Sequence, residues 1–253
     1  MDWIRRFFNL NIVVAETAAG LMRLNICDFV QTRIFLDGAF EPKTLQLVQN
    51  LLRPGDCFVD VGANVGQYSL AAARRVGELG QVVAIEPNPE ICTDLFYNRK
   101  LNQYEKIIRI VTVAASNEDH LINFSVPLAA NRGMSRETTA CEAATTDWYT
   151  VGGVRLSEIL LALSIRCTAV VKIDVEGSEL RVLQGLLDET RFDAPNHIVF
   201  EFVPESFSYG RSPAELIEFL EGWRYEILTI TGLAYVPGES VPENNLWARR
   251  KRA

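Results

Sequence analysis

A short segment with two glycines and an acid, residues 60–66 (DVGANVG), is the first part of the chain whose residue types suggest ligand binding. It follows an apolar run and precedes an Ala-rich stretch with helical spacing, so it predicts a strand–turn–helix unit. Gly62 permits a sharp turn whose amides point at a ligand, and Gly66 permits close packing of the helix. Asn64 stands where a dinucleotide-binding turn has its second glycine, which leaves less room for a pyrophosphate. Asp60 suits a cationic amine, so the segment predicts a ligand that is a nucleoside carrying an amino acid.

The ends of the next two apolar runs supply matching groups for such a nucleoside. Glu86 ends the run 81–86, and a carboxylate there can accept hydrogen bonds from both ribose hydroxyls. Residues 114–116 end the following run, where an adenine ring would lie. Asp60 and Glu86 at successive strand ends are together more specific for a nucleoside than the glycine turn alone.

A second group of charged residues predicts the chemistry. Lys172, Asp174 and Glu176 alternate along one apolar run, so in an extended strand they share one side. Glu201 ends the next run, and we expect the three carboxylates and the ammonium to meet at one edge of a pocket. A carboxylate placed there can accept a proton from a bound hydroxyl, with Asp174 the first candidate and Glu176 or Glu201 the second. Lys172 would pair with one of these carboxylates. The alternative to a carboxylate base is a divalent cation held by all three carboxylates.

Alternating strand and helix patterns must position these groups. Near-continuous apolar runs separated by helical segments predict an α/β fold with a mostly parallel sheet and helices on both faces. The predicted strands are 57–61, 81–86, 107–114, 169–175, 197–203, 225–231 and 245–249. Residues 1–50 predict an N-terminal helical extension, and residues 51–253 predict one domain. Residues 120–150 are polar and long for a loop, which predicts a lid-like insertion, with 131–136 as its moving part.

Composition excludes several classes of protein. With 253 residues, 48% hydrophobic and 23% charged, the chain is typical of a folded globular protein. A net charge of −7 argues against binding nucleic acid. Five scattered cysteines without a CxxC pair, and two histidines, argue against a disulfide framework or structural zinc and favour the cytoplasm. No apolar run is long enough for a transmembrane segment, and Glu16 interrupts a stretch that faintly resembles a signal peptide.

Three stretches together resemble the FkbM family of S-adenosylmethionine-dependent methyltransferases: GDCFVDVGANVGQYS, AIEPNP and VVKIDVEGSELRVLQGL. The resemblance implies a class I methyltransferase fold, a Rossmann-like seven-stranded sheet whose last strand runs antiparallel. It also implies methyl transfer, commonly to a hydroxyl on a sugar or secondary metabolite. The residues then expected to contact S-adenosylmethionine are Asp60, Gly62, Ala63, Asn64, Gly66, Gln67, Glu86, Pro87, Ala115, Ser116 and Asp174. The alternatives are a nicotinamide-dependent oxidoreductase on a related sheet and a non-catalytic binding protein with this fold.

Overall fold

The computed structural model describes residues 11–127, 136–137, 146–187, 191–203 and 213–251. The strands, in chain order, are β1 (Ile12–Thr17), β2 (Gly20–Asn25), β3 (Cys57–Val61), β4 (Gln81–Ile85), β5 (Ile108–Val111), β6 (Ala114–Ser116), β7 (His120–Pro127), β8 (Arg136–Glu137), β9 (Thr146–Arg155), β10 (Val170–Ile173), β11 (His197–Glu201), β12 (Tyr225–Thr229) and β13 (Asn245–Arg250). The α-helices are α1 (Phe29–Asp37), α2 (Pro42–Leu51), α3 (Gln67–Val76), α4 (Pro89–Leu101), α5 (Leu156–Ala162), α6 (Glu179–Leu187) and α7 (Pro213–Gly222). Within these ranges, no helix is long and apolar enough to cross a membrane.

The central sheet has seven strands in the order β12-β13-β11-β10-β3-β4-β5. The pairs from β11 through to β5 are parallel, whereas β13 runs antiparallel to both of its neighbours. The predicted mostly parallel, seven-stranded sheet with an antiparallel last strand is therefore confirmed. Strand order reverses direction between β3 and β10, and open α/β sheets bind ligands beyond the carboxyl ends of strands at such a point.

Helices cover both faces of this sheet because successive strand residues point to opposite sides. Phe58 packs with residues of α2, α3 and α4 in one apolar core. Val59 packs with residues of α5, α6 and α7 in the other. Both side chains are fully buried, which explains why the strands read as continuous apolar runs rather than alternating ones.

The predicted helical extension is wrong over residues 12–25, which form an antiparallel hairpin of β1 and β2. Ile12, Val13 and Val14 are β-branched residues that favour a strand. A two-residue turn joins Thr17 to Gly20, which adopts φ 129°. Helices α1 and α2 follow, so the prediction holds only for the second half of the extension.

The predicted insertion contains a second sheet in the order β6-β9-β7-β8. Strands β7 and β9 pair antiparallel over eight residues each, so much of residues 120–150 is regular structure rather than loop. The third predicted strand also divides here, because β5 ends at Val111 and Ala114–Ser116 joins the second sheet. Of the predicted moving part, residues 131–135 lie outside the described residues.

Candidate active site

A cavity of about 380 Å³ opens beyond the carboxyl ends of β3, β4, β10 and β11. Its volume is within the range of small-molecule sites. Residues predicted from the sequence that line it are Gly62, Ala63, Asn64, Gln67, Glu86, Pro87, Ala115, Ser116, Asp174, Glu176 and Glu201. The topology thus brings most of the predicted site into one cavity.

The turn after β3 is held by hydrogen bonds inside the protein, which corrects one expectation. The amides of Gly62 and Ala63 both donate to the carbonyl of Ile85, at 2.9 and 3.0 Å, and do not point into the cavity. The amide of Asn64 donates to Glu86 Oε2 at 2.9 Å. The turn therefore shapes the cavity wall, and the side chains of Ala63, Asn64 and Glu86 line the cavity.

Gly62 is required for a reason that the sequence does not reveal. Its φ is 79°, and a Cβ there would lie 1.8 Å from the backbone oxygen of Asp174. The close approach is thus to the end of β10 rather than to a ligand. This contact joins the turn to the segment that carries the candidate base.

Glu86 follows β4 and is 6% exposed. Its two oxygens accept hydrogen bonds from the amides of Asn64 and Asn88, at 2.9 and 2.8 Å. Burial raises its pKa to about 7, although these two bonds lower it. A carboxylate has about four acceptor sites, so a fixed Glu86 retains capacity for ribose hydroxyls.

Asp60 lies behind the turn and not in the cavity. It is 1% exposed, and its Oδ2 accepts a hydrogen bond from Ser69 Oγ at 2.6 Å. Its Oδ1 is buried without a hydrogen-bond partner among the described residues. Burial raises its pKa to about 6, while the nearby Lys172 lowers it. Asp60 therefore does not line the cavity, contrary to the expectation from its position, and neither does Gly66, which was also expected to contact the ligand.

Lys172 and Asp174 form an ion pair at the end of β10. Lys172 Nζ lies 2.7 Å from Asp174 Oδ2, with side-chain exposures of 1% and 28%. The carboxylates of Asp174, Glu41 and Asp60 raise the Lys172 pKa despite its burial, so the lysine stays charged. Asp174 thus presents a charge-balanced carboxylate to the cavity.

Glu176 and Glu201 reach the same place by a different geometry from the one expected. Strand β10 ends at Ile173, and Glu176 has φ 54°. The prediction that Lys172, Asp174 and Glu176 alternate along one extended strand is therefore wrong, because only Lys172 lies in the strand. One carboxylate oxygen from each of Asp174, Glu176 and Glu201 nevertheless lies within 4.8 Å of the others. Burial, with the charges of Asp174 and Glu176, raises the pKa of Glu201 to about 9. Glu201 Oε2 has no hydrogen-bond partner among the described residues.

Glu41 and Tyr68 are cavity residues that the motifs did not indicate as a pair. Tyr68 Oη donates to Glu41 Oε2 at 2.8 Å, and its ring lies under Lys172 Nζ, 4.5 Å from the ring centroid. In the sequence, Glu41 is noticeable only as an acid directly before Pro42, and proline is a common first residue of a helix. Such a signal does not distinguish a helix cap from a ligand contact.

The cavity suits S-adenosylmethionine, which carries a sulfonium, an ammonium and a ribose. Of its described lining residues, five are acidic and one, Arg181, is basic. The acids are Glu41, Glu86, Asp174, Glu176 and Glu201. A seven-stranded sheet of this topology, with an acid directly after β4 and an acidic cavity at the switch point, defines a class I S-adenosylmethionine-dependent methyltransferase.

Comparison with known proteins identifies the family. The chain matches the Methyltransferase FkbM domain over residues 60–227, and it belongs to that family. It is 25% identical over 175 residues to the hexuronic acid methyltransferase AglP of Haloferax volcanii, covering 69% of this chain and 68% of that protein.

Two solved structures share the fold alone. A putative caffeoyl-CoA O-methyltransferase from Staphylococcus aureus is 12% identical, with a TM-score of 0.50, covering 82% of this chain and 83% of that one. The M. jannaschii tRNA m1G37 methyltransferase is 14% identical, with a TM-score of 0.51, covering 96% of this chain and 58% of that one.

Proposed function

We propose that this methyltransferase methylates a hydroxyl oxygen of a sugar or glycan, and that Asp174 accepts the proton that the hydroxyl loses. The observation that carries the proposal is the Lys172–Asp174 ion pair, placed at the edge of the cavity. S-adenosylmethionine supplies an electrophilic methyl group. The protein must then align the acceptor oxygen and take up its proton.

Asp174 and Glu201 have different roles in this proposal. Lys172 Nζ lies 2.7 Å from Asp174 Oδ2 and holds this carboxylate at the cavity, where it is positioned to accept the proton. A Glu201 with a pKa of about 9 is protonated at neutral pH and donates a hydrogen bond to the acceptor. An alcohol is too weak an acid to ionise in advance, so its proton leaves as the methyl group arrives. A positioned base of this kind contributes about 10²–10⁴-fold to the rate.

The acceptor class rests on the curated relative and on the charge of the cavity. That relative is named a hexuronic acid methyltransferase, and a hexuronic acid carries both hydroxyls and a carboxylate. The carboxylates of Asp174 and Glu176 oppose a substrate carboxylate at the reacting position, because like charges repel. We therefore assign the hydroxyl as acceptor, with methylation of the carboxylate as the competing outcome. The net charge of −7 supports a small-molecule or glycan acceptor over a nucleic acid.

A divalent cation in the acidic cluster is the alternative to a carboxylate base. The spacing of the three carboxylates permits a cation, but this spacing is the sole observation in its favour among the described residues. Lys172 already places a positive charge 2.7 Å from Asp174, so this carboxylate has a cationic partner without a metal. We therefore propose proton transfer to Asp174 without a metal.

We propose residues 51–253 as the methyltransferase domain, with residues 1–50 as an extension that contributes to its cavity. The family match over residues 60–227 falls inside this domain. Phe29, Val30, Ile34, Phe40 and Glu41 nevertheless line the cavity from the extension. The second sheet contributes Ile122 and Phe124, which supports its assignment as a cover over the acceptor.

The test of the function compares Asp174→Asn with the wild type. Turnover is measured as transfer of labelled methyl from S-adenosylmethionine to uronic acid glycosides, and S-adenosylhomocysteine binding is measured by calorimetry. We expect Asp174→Asn to bind the product nucleoside but to lose about 10²-fold or more in turnover. Asp37→Asn, on an exposed carboxylate of α1 with 44% of its side chain accessible, is the matched control and should keep full activity. Normal turnover by Asp174→Asn would show that the base is wrongly assigned.

A further inference from the structure

Glu41 occupies a helix-cap position without acting as the cap. It precedes α2 and makes no side-chain hydrogen bond to the helix amides. Glu243, from the far end of the chain, accepts from the amides of Lys43 and Thr44 instead, at 3.1 and 2.8 Å. The Glu41 carboxylate therefore does not cap the helix, and it lines the cavity instead.

The backbone around Glu41 is held in place by α3. Gln67 Oε1 accepts from the amide of Phe40 at 2.7 Å, and Gln67 Nε2 donates to the carbonyl of Phe40 at 2.8 Å. Both ends of the Gln67 amide are thus used to position this segment. Glu41 itself has φ 50°, a left-handed conformation that is uncommon for residues other than glycine. Conformations of this kind persist where the surrounding contacts enforce them, often at functional sites.

The surroundings of Glu41 have more negative groups than positive ones. Lys172 is shared by Glu41, Asp60 and Asp174, and its closest partner is Asp174. Burial raises the pKa of Glu41 to about 7, although Lys172 and the Tyr68 hydrogen bond lower it. A buried acid that shares one lysine with two other carboxylates is stabilised when one more cation binds beside it.

We infer that Glu41, oriented by Tyr68, receives the α-ammonium group of S-adenosylmethionine. The inference rests on the proposed cofactor chemistry and replaces Asp60, which lies behind the turn, as the acid that contacts the amine. Glu86 holds the ribose at the end of β4, and Glu41 lies beside the Lys172–Asp174 pair at the end of β10. The two acids thus contact the ribose and the amino-acid end of the cofactor, on either side of β3. Glu41 also lies outside the family match, so the cofactor site includes a part of the chain that the match does not cover.

Three nucleosides separate this role from a structural one. S-adenosylhomocysteine carries both the ribose and the ammonium, its deamino analogue lacks only the ammonium, and 5′-methylthioadenosine lacks the whole amino-acid portion. Glu41→Gln should weaken S-adenosylhomocysteine binding by roughly ten- to a hundredfold, since it removes one charge-assisted hydrogen bond. It should leave the dissociation constants of the other two ligands unchanged. Glu86→Gln is the matched control and should weaken all three alike, because all contain the ribose.

The outcomes of the calorimetry are distinct. Equal weakening of S-adenosylhomocysteine and its deamino analogue by Glu41→Gln would overturn the inference and make Glu41 a structural residue. Unchanged binding of S-adenosylhomocysteine to Glu41→Gln would also overturn it. Failure of the wild-type protein to bind any of the three nucleosides would instead refute the proposed function. Thermal unfolding of Glu41→Gln within a few degrees of the wild type would show that any loss of binding is local.

Discussion

Replacement of Lys172 by methionine tests the charge balance on which the active site depends. The lysine is 1% exposed and lies 2.7 Å from Asp174, with its ammonium above the Tyr68 ring. Methionine fills a similar volume but leaves buried acids without their cation. Removal of one partner of a buried ion pair costs about 3–5 kcal/mol. Because Asp174 is 28% exposed and regains some water, we expect the lower end, about 3 kcal/mol.

Urea unfolding at neutral pH, followed by circular dichroism, measures this loss. The double variant Lys172→Met with Asp174→Asn should recover much of it, because it buries no unpaired charge at that position. Lys106→Met, at an exposed lysine, is the control and should stay within about 0.5 kcal/mol of the wild type. A Lys172→Met protein as stable as the wild type, or a double variant less stable than the single one, would refute the reasoning.

Three other variants or conditions give further tests. Gly62→Ala should lose cofactor binding and several kcal/mol of stability, because the new Cβ would collide with the backbone of Asp174. Gly55→Ala is the control: its φ is 89°, but no atom lies within 4 Å of the new Cβ, so it should cost only about 1 kcal/mol. Equal losses in denaturant unfolding would contradict the contact between Gly62 and Asp174. Burial raises the folded-state pKa of Glu86 from 4.5 to about 7, so the ligand-free protein should lose stability as the pH rises from about 4.5 through 7. Glu86→Gln should flatten that decline in a series of unfolding curves, and an unchanged slope would show that Glu86 is not the source. Dialysis against EDTA should leave methyl transfer intact, and loss that Mg²⁺ restores would favour the metal alternative.

The sheet was predictable because its signal is local. Each parallel strand is buried on both faces, so apolar runs such as residues 57–61 and 81–85 stand out without knowledge of their partners. The same holds for acids at strand ends, since the topology of parallel strands brings Glu86, Asp174 and Glu201 to one edge. The cap of α4 is local as well, because the side chain of Asn88, directly before the helix, accepts from the amides of Glu90 and Ile91.

The remaining features depend on contacts between distant parts of the chain. Glu41 becomes a cavity residue through Tyr68, 27 positions later, and through Glu243, which takes over the helix cap. The amides of the glycine turn are used by Ile85, a partner defined only by the pairing of β3 with β4. The hairpin of β1 and β2 has a weak strand signal in the sequence because its β-branched residues occupy only β1. None of these contacts leaves a pattern in the adjacent sequence.

The central claim is methyl transfer from S-adenosylmethionine to a sugar hydroxyl at a site built around Asp174. Its most direct test is mass spectrometry of uronic acid glycosides after incubation with the wild-type protein and methyl-labelled cofactor, followed by mild alkali. We predict a labelled product that survives alkali, as a methyl ether does, and that Asp174→Asn does not form. A label that alkali releases would show methylation of the carboxylate instead, and a labelled ether formed equally by Asp174→Asn would contradict the proposed base.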